Sequence, residues 1–228
     1  MDYFFQALQA ALLLIIKFDP EIWEIVKTSL AISIQACLYA SLIALPLGIL
    51  IAITSFSGKQ SLINILQTLT AIPTVMIGLI LYGLLSRKGP LGDYGLLYTE
   101  NAVVLGQTCL IIPLIMSLSI ANTESTDPRL LTTLKMLGAS IWQQITTIIR
   151  ELKFVFLSVI MTAFGRAIGE VGAAMMLGGN IQGSTRTMTT AIALETSKGN
   201  FELGLALGIL LLFIAFVINW GLYKIKVN

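Results

Sequence analysis

The sequence predicts an all-α, polytopic membrane protein of about five spans, preceded by a short N-terminal helix. Three observations carry that prediction. Hydrophobic residues make up 56% of the chain and charged residues 11%, with a mean hydropathy of +0.89, a balance suited to lipid rather than water. Apolar stretches recur that can supply the roughly 20 helical residues a hydrocarbon core requires. One of them carries Arg166 and Glu170, at a depth where each charge costs on the order of 2.5 to 3.5 kcal/mol. Charges kept at that cost mark a pathway or a partner, so the chain reads as part of a transport machine.

Taken in order, residues 1–20 are expected to form an interfacial helix. Their apolar stretch, 3–16, is too short to span and stops at Lys17-Phe18-Asp19-Pro20, where proline disfavours helix at the preceding residue. A signal peptide is the rival, but Asp2 stands where a basic leading region belongs and no small-residue cleavage site follows. Residues 21–228 then form the transmembrane domain, with spans predicted over 28–53, 61–85, 102–121, 154–177 and 203–223. Pro73 lies inside the second span and frees a backbone carbonyl, so a bend is expected there. Gly165 and Gly169, and again Gly204 and Gly208, have the small-xxx-small spacing of close helix contacts.

Residues 123–153 are too polar to span and are divided by Gly138, where glycine lets the backbone turn without a side-chain clash. An amphipathic helix there would present Leu130, Leu131, Leu134, Leu137 and Trp142 to something apolar. It reads either as an interfacial helix on lipid headgroups or as a docking helix for a soluble partner.

The connections fall on two sides. Residues 55–60, 122–153 and the C-terminal tail carry seven basic residues (Lys59, Arg129, Lys135, Arg150, Lys153, Lys224, Lys226), and the opposite side with the N-terminus carries six (Lys17, Lys27, Arg87, Lys88, Arg186, Lys198). The bias is small, and it favours the first side as cytoplasmic. A formal net charge of +2 with no basic run argues against nucleic acid as a partner. Cys37 and Cys109 stand far apart in apolar runs and histidine is absent, so neither a metal site nor a histidine-based triad can be built.

The run Thr132-Thr133-Leu134-Lys135-Met136-Leu137-Gly138-Ala139-Ser140-Ile141-Trp142 resembles the cytoplasmic loop of type I ABC importer permeases. Gly138 and its Leu-Gly-Ala-Ser surroundings match. The family's Glu-Ala-Ala positions are here Thr132, Thr133 and Leu134, and its Leu-Pro positions are Arg150 and Glu151. Phe164-Gly165-Arg166-Ala167-Ile168-Gly169-Glu170-Val171-Gly172 is similar to the corresponding helix of permeases for molybdate, tungstate and sulfate. Residues 170–181 and 185–196, with Ala71-Ile72-Pro73-Thr74-Val75 and Gly89-Pro90-Leu91-Gly92 upstream, are most similar to the tungstate group.

The resemblance implies the type I importer transmembrane fold and two copies of the chain forming a path between them. It implies two ATP-binding subunits docked at Leu134, Leu137, Gly138, Ala139 and Trp142, and an extracytoplasmic binding protein delivering the oxyanion. The N-terminus would lie outside the inner membrane and the C-terminus in the cytoplasm. No Gly-x-x-x-x-Gly-Lys-Ser/Thr run occurs, so ATP and magnesium belong on the partner, and this chain is expected to hold no cofactor or metal and to be no enzyme itself.

Residue chemistry leaves the roles open. Arg166 and Glu170 are i and i+4, so on a continuous helix they share a face, either as a structural ion pair or, with Pro73 and Thr74, as part of the path. The stretch 178–200 reads as a loop in which Asn180, Thr185 and Arg186 could contact an anion at the outer face, or as an ordinary solvated loop. A different class, an ion-coupled secondary transporter using Arg166 and Glu170, would show inverted repeats, which the chain does not display.

Overall fold

The computed structural model describes residues 2–227; the side chains of Lys224 and Lys226, counted in the charge balance above, lie outside the described set. The helix α1 (Asp2–Ile16) packs on the last helix of the chain and buries Ala7 and Ala11, small residues that permit close approach. Phe18 turns the chain in the left-handed region, with φ 54°. Asp19 then caps α2 (Pro20–Ile53), its carboxylate accepting from the Glu21 and Ile22 amides while Pro20 occupies the first helical position.

The second expected span is two helices, α3 (Lys59–Thr70) and α4 (Thr74–Leu85), set at 95° to each other. Proline explains the break. It cannot donate to the helical ladder and it drives Ile72 out of helical geometry, so Pro73 ends one axis and begins another at φ −57°, ψ 127°. After a tight loop with a 3-10 turn at Gly92–Tyr94, Thr99 caps α5 (Glu100–Glu124). Pro113 lies inside α5 without ending it.

Next come α6 (Pro128–Met136) and α7 (Ile141–Glu151), then the fourth expected span, which is also broken: α8 (Lys153–Ile168) and α9 (Gly172–Gly178) meet at 61°. The stretch 178–200, read above as a loop, contains α10 (Met188–Ser197). Thr187 starts it with a capping box shared with Thr190, and Met188 and Ala191 are buried beneath it. The chain closes with α11 (Phe201–Val227).

By length and composition α2, α5 and α11 can each cross a membrane, and the two bent pairs bring the number of possible spans to five. α2 and α5 form the central pair, with α8 and α9 against α5, and α4 against α9. Their core is aliphatic, built on Ile32, Ile111, Ile115, Ala163 and Leu207. Contacts also define two ends. One gathers Glu21, Tyr98 and the 179–186 loop; the other joins Lys59 to Glu124 at 2.9 Å and packs Ile145, Ile148 and Phe156 on Ile49 and Ile53.

Candidate functional site

The two breaks meet. A Cβ built on Gly172 would lie 2.9 Å from Val75 Cγ2 and 3.0 Å from Thr74 Oγ1, so only glycine lets the start of α9 approach the start of α4 this closely. Gly78 repeats the device one turn on, where a Cβ would stand 3.0 Å from the Ala173 Cα. Pro73 and Thr74 are thus brought beside the Gly169-Glu170-Val171 break.

Arg166 and Glu170 are not a pair, which corrects the shared-face expectation. A face common to i and i+4 needs an unbroken helix, and α8 ends at Ile168. Glu170 is buried, and its Oε1 accepts from the Ala173 amide at 2.9 Å, capping α9. Its carbonyl accepts from Thr189 Oγ1 at 2.7 Å, so the start of α10 is fastened to the break. From the other side the Met188 amide donates to Ser29 Oγ of α2 at 2.6 Å.

Arg166 instead stays on α8, exposed, with no ion pair or hydrogen bond among the described residues. Ser158, Thr162, Gly165 and Gly169 recur with it at spacings of three and four, so one helix face is polar or small. The opposite face, with Phe156, Val159, Ala163 and Ala167, is buried in the chain's own core. Ser158 Oγ and Thr162 Oγ1 donate to the carbonyls of Phe154 and Ser158, which leaves their lone pairs outward. The sequence reading singled out Arg166 and missed Ser158 and Thr162, although their four-residue spacing was visible.

At the end that holds Glu21, the three residues expected to offer donors to an anion serve the loop itself. Thr185 is fully buried, its hydroxyl donating to the Gly178 carbonyl and accepting from the Ile181 amide at 3.0 Å. Arg186 is buried, with Nη1 3.4 Å from Glu21 Oε1, and Gln182 donates to the same oxygen at 3.0 Å. Asn180 adopts φ 52° and donates to the Thr190 carbonyl at 3.4 Å. In the single chain these side chains brace the loop, while Arg186 Nε and Asn180 Oδ1 are buried without a hydrogen-bond partner among the described residues.

At the opposite end, α6 closes in a Schellman motif. The Ala139 amide donates to the Leu134 carbonyl at 3.0 Å and the Gly138 amide to that of Lys135 at 3.1 Å, with Gly138 at φ 70°. Ser140 and Gln143 then form a capping box for α7, and Gln144 Nε2 ties the Ala139 carbonyl at 2.8 Å. The expected apolar stripe divides. Leu130 and Leu131 pack on the chain's own core with Ile49 and Ile148, and Leu134 is half-buried. Leu137 and Trp142 are exposed by 77% and 71%, joined by Met136 at 82% and Ile141, which the sequence reading missed.

A model of the family described as binding-protein-dependent transport system inner membrane component matches residues 44–225. The chain belongs to that family, whose transmembrane fold is that of type I ABC importers, and the ion-coupled secondary transporter weighed above is set aside. It is 39% identical to a tungstate uptake system permease protein, TupB, of Peptoclostridium acidaminophilum, over 99% of each chain. With TupB of Campylobacter jejuni it shares 40% identity over 99% of this chain and 95% of the relative. Identity to the molybdenum transport system permease protein ModB of Escherichia coli is 31%, over 76% of this chain and 79% of the relative.

Proposed function

We propose that the chain is the permease half of an ATP-driven importer for a tetrahedral oxyanion, tungstate before molybdate or sulfate, and that two copies form the path between their α8 faces. One observation carries this. Arg166 is exposed and unpartnered on α8, which together with α9 is long and apolar enough to make one span, and a guanidinium facing lipid there costs on the order of 2.5 to 3.5 kcal/mol. A water-filled path or a second copy removes that cost. Beside it, Gly165 and Gly169 leave room, so the guanidinium attracts an anion without enclosing it, and Ser158 and Thr162 add donors when their hydroxyls turn from the Phe154 and Ser158 carbonyls. Full-length similarity to tungstate permeases supports the choice of anion.

In this reading the α2-start end is extracytoplasmic and receives a binding protein, and Met136, Leu137, Ile141 and Trp142 dock one of two ATPases that carry ATP and magnesium. Leu134, Gly138 and Ala139 shape that tip. Pro73 and Thr74, with Glu170, set the geometry where the broken helices meet, so that α4 and α9 can shift together while α8 carries the charge.

The test is tungstate uptake into vesicles carrying the assembled complex with Arg166→Leu, Arg166→Lys or no substitution. Uptake should fall at least about tenfold in the leucine variant, the size of one lost charge-assisted contact, and partly return with lysine, at unchanged complex yield. Full uptake from Arg166→Leu would overturn the path assignment; collapse of yield in both variants would mean that Arg166 holds helices instead.

A further inference from the structure

A second cationic cavity lies away from the α8 face, where the end of α4 meets the 86–98 loop, and it has a volume of 450 Å³. That is within the range of small-ligand sites. Tyr82, Ser86, Arg87 and Tyr98 are its polar lining, and Leu85 and Leu97 its apolar floor. Arg87 is exposed and makes no ion pair among the described residues; residues 86–99 hold Arg87 and Lys88 against the single acid Asp93.

The cavity is built rather than incidental. A Cβ on Gly92 would stand 2.4 Å from the Ser86 carbonyl oxygen and 2.9 Å from Arg87 Cα, so the loop folds onto itself and fixes the backbone that carries the guanidinium. Tyr98 adopts φ 66°, a left-handed geometry that costs a tyrosine energy, and is held there by its amide donating to the Leu177 carbonyl at 2.8 Å. That strain places its ring edge-on to Tyr82, the centroids 6.4 Å apart. Tyr98 Oη donates to Tyr82 Oη at 3.5 Å, which leaves the Tyr82 proton available to a guest. The same bond holds the Tyr98 phenol above its ordinary range.

We infer that this cavity is a second anion site, binding a tetrahedral oxyanion through Arg87 and the Tyr82 hydroxyl, since the Ser86 hydroxyl is already donated to the Gly83 carbonyl at 3.2 Å. Its polar groups converge on a cavity, which suits residence, whereas Arg166 stands on one open helix face, which suits passage. The guest is either a free oxyanion or the phosphate of a lipid headgroup, whose first carbons the leucine floor would accept. The inference stands whether or not Arg166 lines the path.

The test uses the intact complex in nanodiscs and the rate of nitration of Tyr82 and Tyr98, read by peptide mass spectrometry. Tyr94, in the same loop, 73% exposed and outside the cavity lining, is the internal reference. In phosphatidylcholine discs, tungstate or inorganic phosphate at saturation should slow nitration on the order of tenfold relative to Tyr94. Protection seen instead in phosphatidylglycerol discs without added oxyanion identifies the lipid headgroup as the guest. Either protection should vanish with Arg87→Gln and persist with Arg166→Leu. No protection in either disc, or protection that survives Arg87→Gln, would overturn the site.

Discussion

At the scale of the residue, Gly138 and Glu170 show how one position fixes its surroundings. A side chain at Gly138 would touch nothing within 4 Å, so the cost of substitution is the left-handed backbone alone, about 1 to 2 kcal/mol for an L-residue. Gly138→Val should therefore leave the spans inserted but misaim Leu137 and Trp142, lowering recovery of the ATPase with the complex. Pull-down yields compared with Gly138→Asn, a residue that tolerates this region, isolate the backbone effect. Equal recovery from Gly138→Val would refute the role given to the turn. Glu170 carries a different load. Glu170→Ala leaves the Ala173 amide without its partner in a buried break, a loss of roughly 1 to 3 kcal/mol, whereas Glu170→Gln keeps an acceptor there. Thermal unfolding in detergent should rank wild type, Gln and Ala in that order.

At the scale of the element, the α4–α9 contact depends on absent side chains. Gly78→Ala would set a Cβ 3.0 Å from the Ala173 Cα, which is backbone and cannot swing aside, so the helices must part at a cost of typically 1 to 3 kcal/mol. Uptake should fall further than complex yield if these two helices move as a unit. α10 offers a pH-dependent case. The Lys198 ammonium, 2.9 Å from Glu195, holds that carboxyl below its ordinary range against the opposing effect of burial, with Asn200 donating at 3.1 Å. A depressed carboxyl stabilises the fold above the unfolded value, about 4.3, and that contribution is lost as pH falls through the lower folded value. Glu195→Gln should flatten the acid limb of a stability-against-pH curve, and an unchanged limb would deny Glu195 this part.

At the scale of the whole molecule, exposure of a side chain means two things. Leu212 on α11 and Arg166 on α8 are both exposed in the single chain, yet one suits lipid and the other does not. Leu212→Arg should cost on the order of 2.5 to 3.5 kcal/mol and sharply reduce membrane yield, whereas Arg166 avoids that cost in the proposed arrangement by facing the path. If Leu212→Arg were recovered at wild-type yield and stability, the division of the surface into lipid and path faces would be wrong.

The sequence by itself determined the class: composition and repeated apolar length force an α-helical membrane chain, since hydrocarbon solvates no open backbone. It also marked Gly138 as a turn and Pro73 as a bend, because both act through local backbone geometry, though the 95° break at Pro73 is larger than a bend within one span. It placed Arg166 and Glu170 on one face by assuming a continuous helix, and it read 188–197 as loop because Thr-rich composition hides a capped helix. Only tertiary structure decided those points. The break after Ile168 is fastened by Thr189 and packed through Gly172 on Thr74 and Val75, contacts between residues that local periodicity cannot relate. The same holds for Arg186, whose part-buried contact with Glu21 joins positions 165 residues apart, a pairing no local pattern announces.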